Sequence, residues 1–213
     1  MIRKSRIYDE DFEKLENKKV TIIGCGGTGS WLAELLAKTG INLVLIDPDI
    51  VEESNLERQN FDKSEIGKLK VNALKERLGN FSTIETYSLR IDEKNIENFE
   101  FYDLLIDCTD SFESKKIIAN YALRNQIPYV FTSVQGNYGM IYIYKPYKKS
   151  IIEIFKNKVF KKLDEFGVTN SAVMVLSALT ASIVYNYLLS KKTPEEIIYF
   201  NLENYEIQKI KVK

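Results

Sequence analysis

A short apolar run, Val20-Thr21-Ile22-Ile23, ends in Gly24-Cys25-Gly26-Gly27-Thr28-Gly29 and leads into Ser30-Trp31-Leu32-Ala33. A buried strand that stops in glycines and passes straight into a helix makes a cradle for phosphate. The glycines let the backbone turn tightly and approach a ligand, and the helix N-terminus offers free N–H groups at its positive end. Gly29 is followed by Ser30-Trp31 rather than the Lys-Ser/Thr pair of a P-loop, so this is not a Walker-type cradle. Many nicotinamide enzymes carry a similar loop. The charged residues downstream must therefore decide among phosphate ligands.

The rest of the chain tells how such a loop is mounted. Strand-like runs at 19–25, 42–47, 84–89, 103–108 and 129–132 alternate with helical patterns at 28–39, 67–78 and 112–124. Such β-α-β alternation predicts an α/β, Rossmann-like fold with a mostly parallel sheet and helices on both faces. After Gly136 the pattern changes: 139–144, 197–201 and 205–211 read as strands without crossover helices, an antiparallel C-terminal extension. At 213 residues the reading is one domain, with an N-terminal arm (1–18), a nucleotide-binding core (19–145) and C-terminal helices and strands (146–213).

Composition removes several chemistries. The chain has no histidine and only two cysteines, Cys25 and Cys108, each at a strand end. Imidazole acid–base catalysis and histidine metal ligation are excluded, and no spaced cysteine pairs exist to build a disulfide framework or a zinc site. Thirty basic residues balance thirty acidic ones, so no bulk field draws the chain to nucleic acid or membrane. Lys145, Lys148, Lys149, Lys156, Lys158, Lys161 and Lys162 read as a solvated face. Residues 168–189 are apolar, but Thr169, Asn170, Ser171, Ser177, Thr180, Ser182 and Asn186 interrupt them, which fits a buried core helix rather than a membrane span. The opening Met1-Ile2-Arg3-Lys4-Ser5-Arg6 leads into a charged stretch with no apolar core, and the expectation is a cytoplasmic protein.

In this fold, connections at the carboxyl ends of parallel strands converge on the ligand crevice. Asp47 closes the second strand, where an acid accepts hydrogen bonds from a ribose; the alternative is an acid that starts the turn at Pro48. Asp49, Asn55, Arg58, Gln59 and Lys70 follow in the next connection. Asp107-Cys108-Thr109-Asp110 ends the fourth strand. Asp107 has a structural alternative, bonded to backbone N–H groups, whereas Asp110 at the tip is placed to hold Mg²⁺ bridging phosphates.

Taken in order, Gly24-x-Gly26-Gly27-x-Gly29, Asp47-x-Asp49, Asn55-Leu56-x-Arg58-Gln59, Gly67-x-x-Lys70-Val71 and Asp107-Cys108-Thr109-Asp110 resemble the ThiF/MoeB/HesA superfamily. These are ATP-dependent activators of ubiquitin-like and sulfur-carrier proteins. The resemblance implies that Asp47 binds the ATP ribose, that Asn55, Arg58 and Lys70 contact phosphates, and that Asp110 organises Mg²⁺. It also implies an N-terminal arginine reaching into a partner subunit's site, for which Arg6 is the match, and hence a homodimer. The implied partner is a small ubiquitin-like or sulfur-carrier protein with a Gly-Gly tail.

Departures from the superfamily narrow that implication. Many members have two Cys-x-x-Cys zinc pairs, and some a nucleophilic cysteine in a later crossover loop; this chain has no cysteine after Cys108. The expectation is adenylation with ATP and Mg²⁺, without zinc and without a thioester step. Ser111 and Lys115 stand where the superfamily more often has Asn and Arg, and lysine lacks the planar fork of arginine. A tRNA-modifying, carboxylate-activating dehydratase shares Gly29-Ser30-Trp31 and is one alternative. A nicotinamide-binding redox or sensor module is another, although it gives no reason for Arg58, Lys70 and Asp110 together.

Overall fold

The computed structural model describes residues 13–146, 148–154 and 167–212. One eight-stranded sheet runs through it: β1 (Lys19–Ile23), β2 (Asn42–Ile46), β3 (Ile84–Tyr87), β4 (Leu104–Asp107), β5 (Tyr129–Gln135), β6 (Tyr138–Tyr144), β7 (Ile197–Asn201) and β8 (Glu206–Ile210). The spatial order is β3-β2-β1-β4-β5-β6-β7-β8. The first five strands in that order pair in parallel, and β5 to β8 pair antiparallel. The expected Rossmann-like sheet with an antiparallel C-terminal extension is what the chain forms.

The central strands are apolar at almost every position because both faces are covered. Val20, Ile22, Leu43, Leu45, Leu104 and Ile106 enter one core, with α1 (Gly27–Ala37), α2 (Lys70–Leu78) and α5 (Asn170–Leu188). The alternate residues Ile23, Val44, Ile46 and Leu105 enter a second core, with α3 (Phe112–Arg124) and the short α4 (Ile151–Ile154). Two-residue periodicity in each strand therefore feeds two separate helix layers.

The 19-residue α5 is long and apolar enough to cross a membrane by length and composition alone. Here it is a core helix. Its small residues allow close packing on α1, where Ser177 Oγ donates to the Thr28 carbonyl at 3.0 Å and Tyr185 OH to the Leu35 carbonyl at 2.8 Å.

Several boundaries differ from the sequence reading. β1 stops at Ile23, because Gly24 already turns with φ +92°. α2 starts at Lys70 rather than at 67, since Gly67 has φ +87° and cannot lie in a right-handed helix. β5 is longer than expected and reaches Gln135, held there by its pairing with β6.

Candidate active site

The strand order reverses between β1 and β4: the chain leaves β1 towards β2 and β3, then returns to the other side of β1. Helix connections diverge at that point and leave a crevice at the carboxyl ends of the strands. A cleft of about 920 Å³ lies there. Gly24, Gly26, Gly27, Asp47, Asp49, Arg58, Gln59, Lys70 and Asp110 all line it, so most of the expected site residues meet in one place.

The glycine loop is shaped by close approach. A Cβ on Gly24 would lie 2.7 Å from the Cys108 backbone, and one on Gly29 would lie 1.8 Å from the Gly24 carbonyl oxygen. Gly29 is thus a packing glycine beneath the loop and, unlike Gly24, Gly26 and Gly27, does not line the cleft. Gly26 is the N-cap of α1 and supplies no side-chain cap. The first helical bond runs from Ser30 N–H to the Gly26 carbonyl at 3.0 Å, which leaves the N–H groups of the first turn without a helical acceptor. An anion is the natural partner for them.

Asp47 is buried, and each carboxylate oxygen accepts a backbone N–H: Oδ2 from Cys25 at 2.6 Å and Oδ1 from Asp49 at 2.8 Å. It therefore fixes the glycine loop against β2 and starts the turn at Pro48, while one lone pair on each oxygen stays available to a ligand in the cleft. Burial raises its pKa above the usual aspartate value, against the lowering effect of the two N–H groups and Lys70. Lys70, at the start of α2, is buried and holds its Nζ 3.0 Å from Asp49 Oδ2.

The connection after β2 carries Arg58 on a loop braced from two sides. Trp31 Nε1 donates to the Arg58 carbonyl at 3.2 Å, and Asn60 N–H donates to Ser30 Oγ at 3.0 Å. Arg58 Nη1 donates to the Ser54 carbonyl at 2.8 Å. Beside it, Gln59 is buried and its Oε1 has no hydrogen-bond partner, a cost a fold carries when a ligand satisfies the atom. Asn55 departs from expectation. It lies in a short 3-10 turn (Glu53–Asn55), accepts the Glu52 N–H at 3.1 Å and does not line the cleft. Its Oδ1 is taken up within the loop, which shapes the Arg58 connection.

At the end of β4, Asp107 is fully buried and structural. Its Oδ1 accepts Thr109 N–H at 2.9 Å and Thr109 Oγ1 at 2.6 Å, and its Oδ2 accepts Tyr129 OH at 3.0 Å. Lys115 Nζ lies 3.4 Å from Asp107 Oδ1 and donates to the Thr132 carbonyl at 2.8 Å. This lysine, whose role the sequence left open, is held in the cleft floor by those two contacts. The network rigidifies the turn that projects Asp110, which is exposed to the cleft.

Neither cysteine sits in a setting that favours a thiolate. Burial pushes the Cys108 thiol up to about 12 and the Cys25 thiol well above its ordinary value. Among the described residues, no group of three or more His, Cys, Asp or Glu side chains gathers as a metal cluster.

Three wall segments carry no sequence signal: Leu89-Arg90-Ile91 after β3, Thr132-Ser133-Val134 in β5, and residues 167–170 before α5. They extend the cleft past both sides of the glycine loop. Arg6, Lys156, Lys158, Lys161 and Lys162 lie outside the described residues.

Over 137 residues the chain is 40% identical to the adenylyltransferase and sulfurtransferase UBA4 of Eremothecium gossypii, covering 62% of this chain and 31% of that protein. Over 185 residues it is 29% identical to a probable molybdopterin-synthase adenylyltransferase of Gracilaria tenuistipitata var. liui, covering 82% and 52%. The matched stretch of the chain thus spans from just under a third to just over a half of the length of these relatives. In fold it is similar to E. coli MccB crystallised with ATP (TM-score 0.82, 24% identity, covering 95% of this chain and 66% of that one). It is similar also to MccB in complex with N-formylated MccA (TM-score 0.86, 23% identity, 95% and 67%). The ThiF family model matches residues 2–213, and the chain belongs to the ThiF family.

Proposed function

We propose that this chain is an ATP- and Mg²⁺-dependent adenylyltransferase that activates the C-terminal carboxylate of a ubiquitin-like or sulfur-carrier protein and releases pyrophosphate. The observation that carries the reading is convergence: Arg58, Lys70 and Asp110 line the same cleft as the uncapped N-terminus of α1. A nicotinamide-binding role would use the glycine loop and Asp47 but would leave those three without a task. The relatives, an adenylyltransferase and sulfurtransferase and a probable molybdopterin-synthase adenylyltransferase, support the same class of reaction.

In this reading the free N–H groups of α1 and the cations Arg58 and Lys70 hold the triphosphate, and Asp47 accepts ribose hydroxyls with its remaining lone pairs. Gln59 Oε1 gains the partner it lacks. Magnesium requires one or two carboxylates besides phosphate oxygens and water, and the exposed carboxylate of Asp110 on the cleft wall fits that requirement. When bound there, the ion offsets negative charge on phosphate oxygens.

The chemistry needs no histidine. A C-terminal carboxylate has a pKa of roughly 3.3–3.7 and is already ionised at neutral pH. Its oxygen attacks the α-phosphorus, forming the C(O)–O–P bond of an acyl-adenylate, while the bond from the α-phosphorus to the bridging oxygen breaks and pyrophosphate leaves with the electron pair. No proton is moved. Arg58 and Lys70 stabilise the charge that builds on the oxygens, the main source of rate in such transfers. Neither thiol of this chain is poised to take the acyl group next, since desolvation holds both protonated, Cys25 in the core and Cys108 partly buried at the cleft. Pyrophosphate exchange into ATP, driven by small proteins ending in Gly-Gly, tests the reading. Tight binding of NAD with no affinity for Mg-ATP refutes it.

A further inference from the structure

Lys70 meets the cleft with an acid already on it. Its side chain is 7% exposed, and its Nζ lies 3.0 Å from Oδ2 of Asp49, whose own side chain is 54% exposed. Both residues line the cleft. A carboxylate on the wall of a triphosphate site repels its ligand unless a cation or a metal offsets it. Asp47, Asp49, Glu57 and Asp110 all line that wall, and among the described residues only Asp49 of these four is paired with a cation.

Backbone bonds set the pair from both sides. Asp49 N–H donates to Asp47 Oδ1 at 2.8 Å, and Lys70 N–H donates to the Asp49 carbonyl at 3.0 Å. Next to them, Ile50 and Leu69 form an antiparallel bridge. Val51 N–H donates to the Lys68 carbonyl at 2.8 Å, and Gly67 N–H to the Val51 carbonyl at 2.9 Å. Residues 49–51 and 67–70 are thus zipped into a clasp at the base of the loop that carries Arg58 and Gln59. The acid and its lysine come from opposite sides of this clasp.

An ammonium is a point charge with three N–H donors on a flexible four-carbon stem, and it has no built-in direction. One donor held by Asp49 fixes the head and leaves two for phosphate oxygens. Asp49 also joins Lys70 to the carboxylate of Asp47, so the acid at the end of β2 and the cation at the start of α2 keep a fixed spacing. Two other tasks fit the geometry less well. A mask would compete with the triphosphate for a single donor, whereas Lys70 has donors to spare. A magnesium ligand would bring the ion against an ammonium already 3.0 Å from its oxygen, two cations at one carboxylate.

We propose that Asp49 is a positioning residue: its carboxylate aims Lys70 Nζ at the transferring phosphate and touches neither nucleotide nor metal itself. This rests on the adenylation reading and adds to it the group that orients one of its two cations.

Asp49→Asn keeps the size and the backbone N–H and removes the charge. Radiolabelled pyrophosphate exchange, driven by a Gly-Gly-ended carrier, is measured on wild type, Asp49→Asn, Asp49→Glu, Lys70→Gln and the Asp49→Asn, Lys70→Gln double variant. ATP and magnesium are each varied. The kcat of Asp49→Asn is expected to fall about tenfold or more, as for a displaced catalytic group, with the KM for ATP within about threefold of wild type. Its magnesium dependence is expected to be unchanged, and Asp49→Glu to recover part of the rate. In the Lys70→Gln background the same substitution is expected to have no further effect, since nothing is left to position. An equal loss in both backgrounds overturns the role. So does a lowered KM for ATP, which marks a mask, or a raised magnesium requirement, which marks a metal ligand. Should Asp49→Asn not fold, Asp49→Glu carries the cycle, with a reduced kcat expected only while Lys70 is present. No exchange by the wild-type chain with any Gly-Gly-ended carrier overturns the adenylation reading, and this role with it.

Discussion

The indole N–H of Trp31 donates to the backbone carbonyl of Arg58 across 3.2 Å, tying the helix that leaves the glycine loop to the connection after β2. The bond sets the position of a cation by holding its backbone, not its side chain. Trp31→Phe keeps the ring and removes the donor. Pyrophosphate exchange is expected to fall about tenfold with a melting temperature lowered by only a few degrees, since one net hydrogen bond contributes about 1 kcal/mol. Exchange equal to wild type would show that Ser30 and Asn60 brace the loop without it.

Arg58 and Asp110 have no burial role that would unfold the chain when removed, for both face the cleft. Arg58→Ala and Asp110→Ala are each expected to lower exchange by about a hundredfold or more while circular dichroism stays unchanged. Arg58→Lys restores the charge without the fork and is expected to recover only part of the activity.

Two glycines separate ligand space from packing space. A Cβ at position 26 would come no closer than 3.8 Å to the Gln59 amide nitrogen, whereas one at 29 collides with the Gly24 carbonyl. Gly26→Ala is expected to fold and to bind ATP about tenfold more weakly or worse, because the methyl enters the cleft. Gly29→Ala is expected to yield little soluble protein. Calorimetry and expression yield check the pair.

Lys115 and Asp107 form a buried ion pair, and removing one partner strands the other charge. Lys115→Met is expected to destabilise the fold by about 3–5 kcal/mol, or roughly 10 °C in melting temperature for a chain of this size. A change below about 1 kcal/mol would mean that Asp107 is already satisfied by Thr109 and Tyr129.

The buried thiols set a pH limit. Burial raises Cys25 well above its ordinary value and Cys108 to about 12, so the unfolded chain loses these protons first as pH rises. Their contribution to stability is complete below about pH 9 and is lost progressively from there towards pH 12. Urea unfolding between pH 8 and 10.5 is expected to show falling stability, with a shallower slope in the Cys25→Ala, Cys108→Ala double variant. Native alkylation of the buried Cys25 by iodoacetamide at pH 8 is expected to be slow until the chain unfolds.

Much of this was legible in the sequence because it is written locally. The strand–glycine–helix step, the Phe112–Arg124 helix and the Ile197–Asn201 strand follow from contiguous patterns, and the structure places the last two at those bounds and shortens the first strand by two residues. What was not legible depends on relations between distant segments. The overhang of β5 past Thr132 is polar at Ser133 and Gln135 and is a strand only because β6 pairs with it. That the Oδ1 of Asn55 closes its own turn is seen only once the loop is folded. The walls at 89–91 and 167–170 have no shared composition and come together only because β3 and α5 reach the same sheet edge.

Transfer of oxygen tests the central claim most directly. A Gly-Gly-ended carrier whose terminal carboxylate is labelled with oxygen-18 is incubated with this chain, Mg-ATP and hydroxylamine, and the products are weighed by mass spectrometry. Attack of that carboxylate on the α-phosphorus predicts AMP heavier by one oxygen-18, together with pyrophosphate and a carrier hydroxamate. Unlabelled AMP, or ADP and phosphate in its place, would contradict the account.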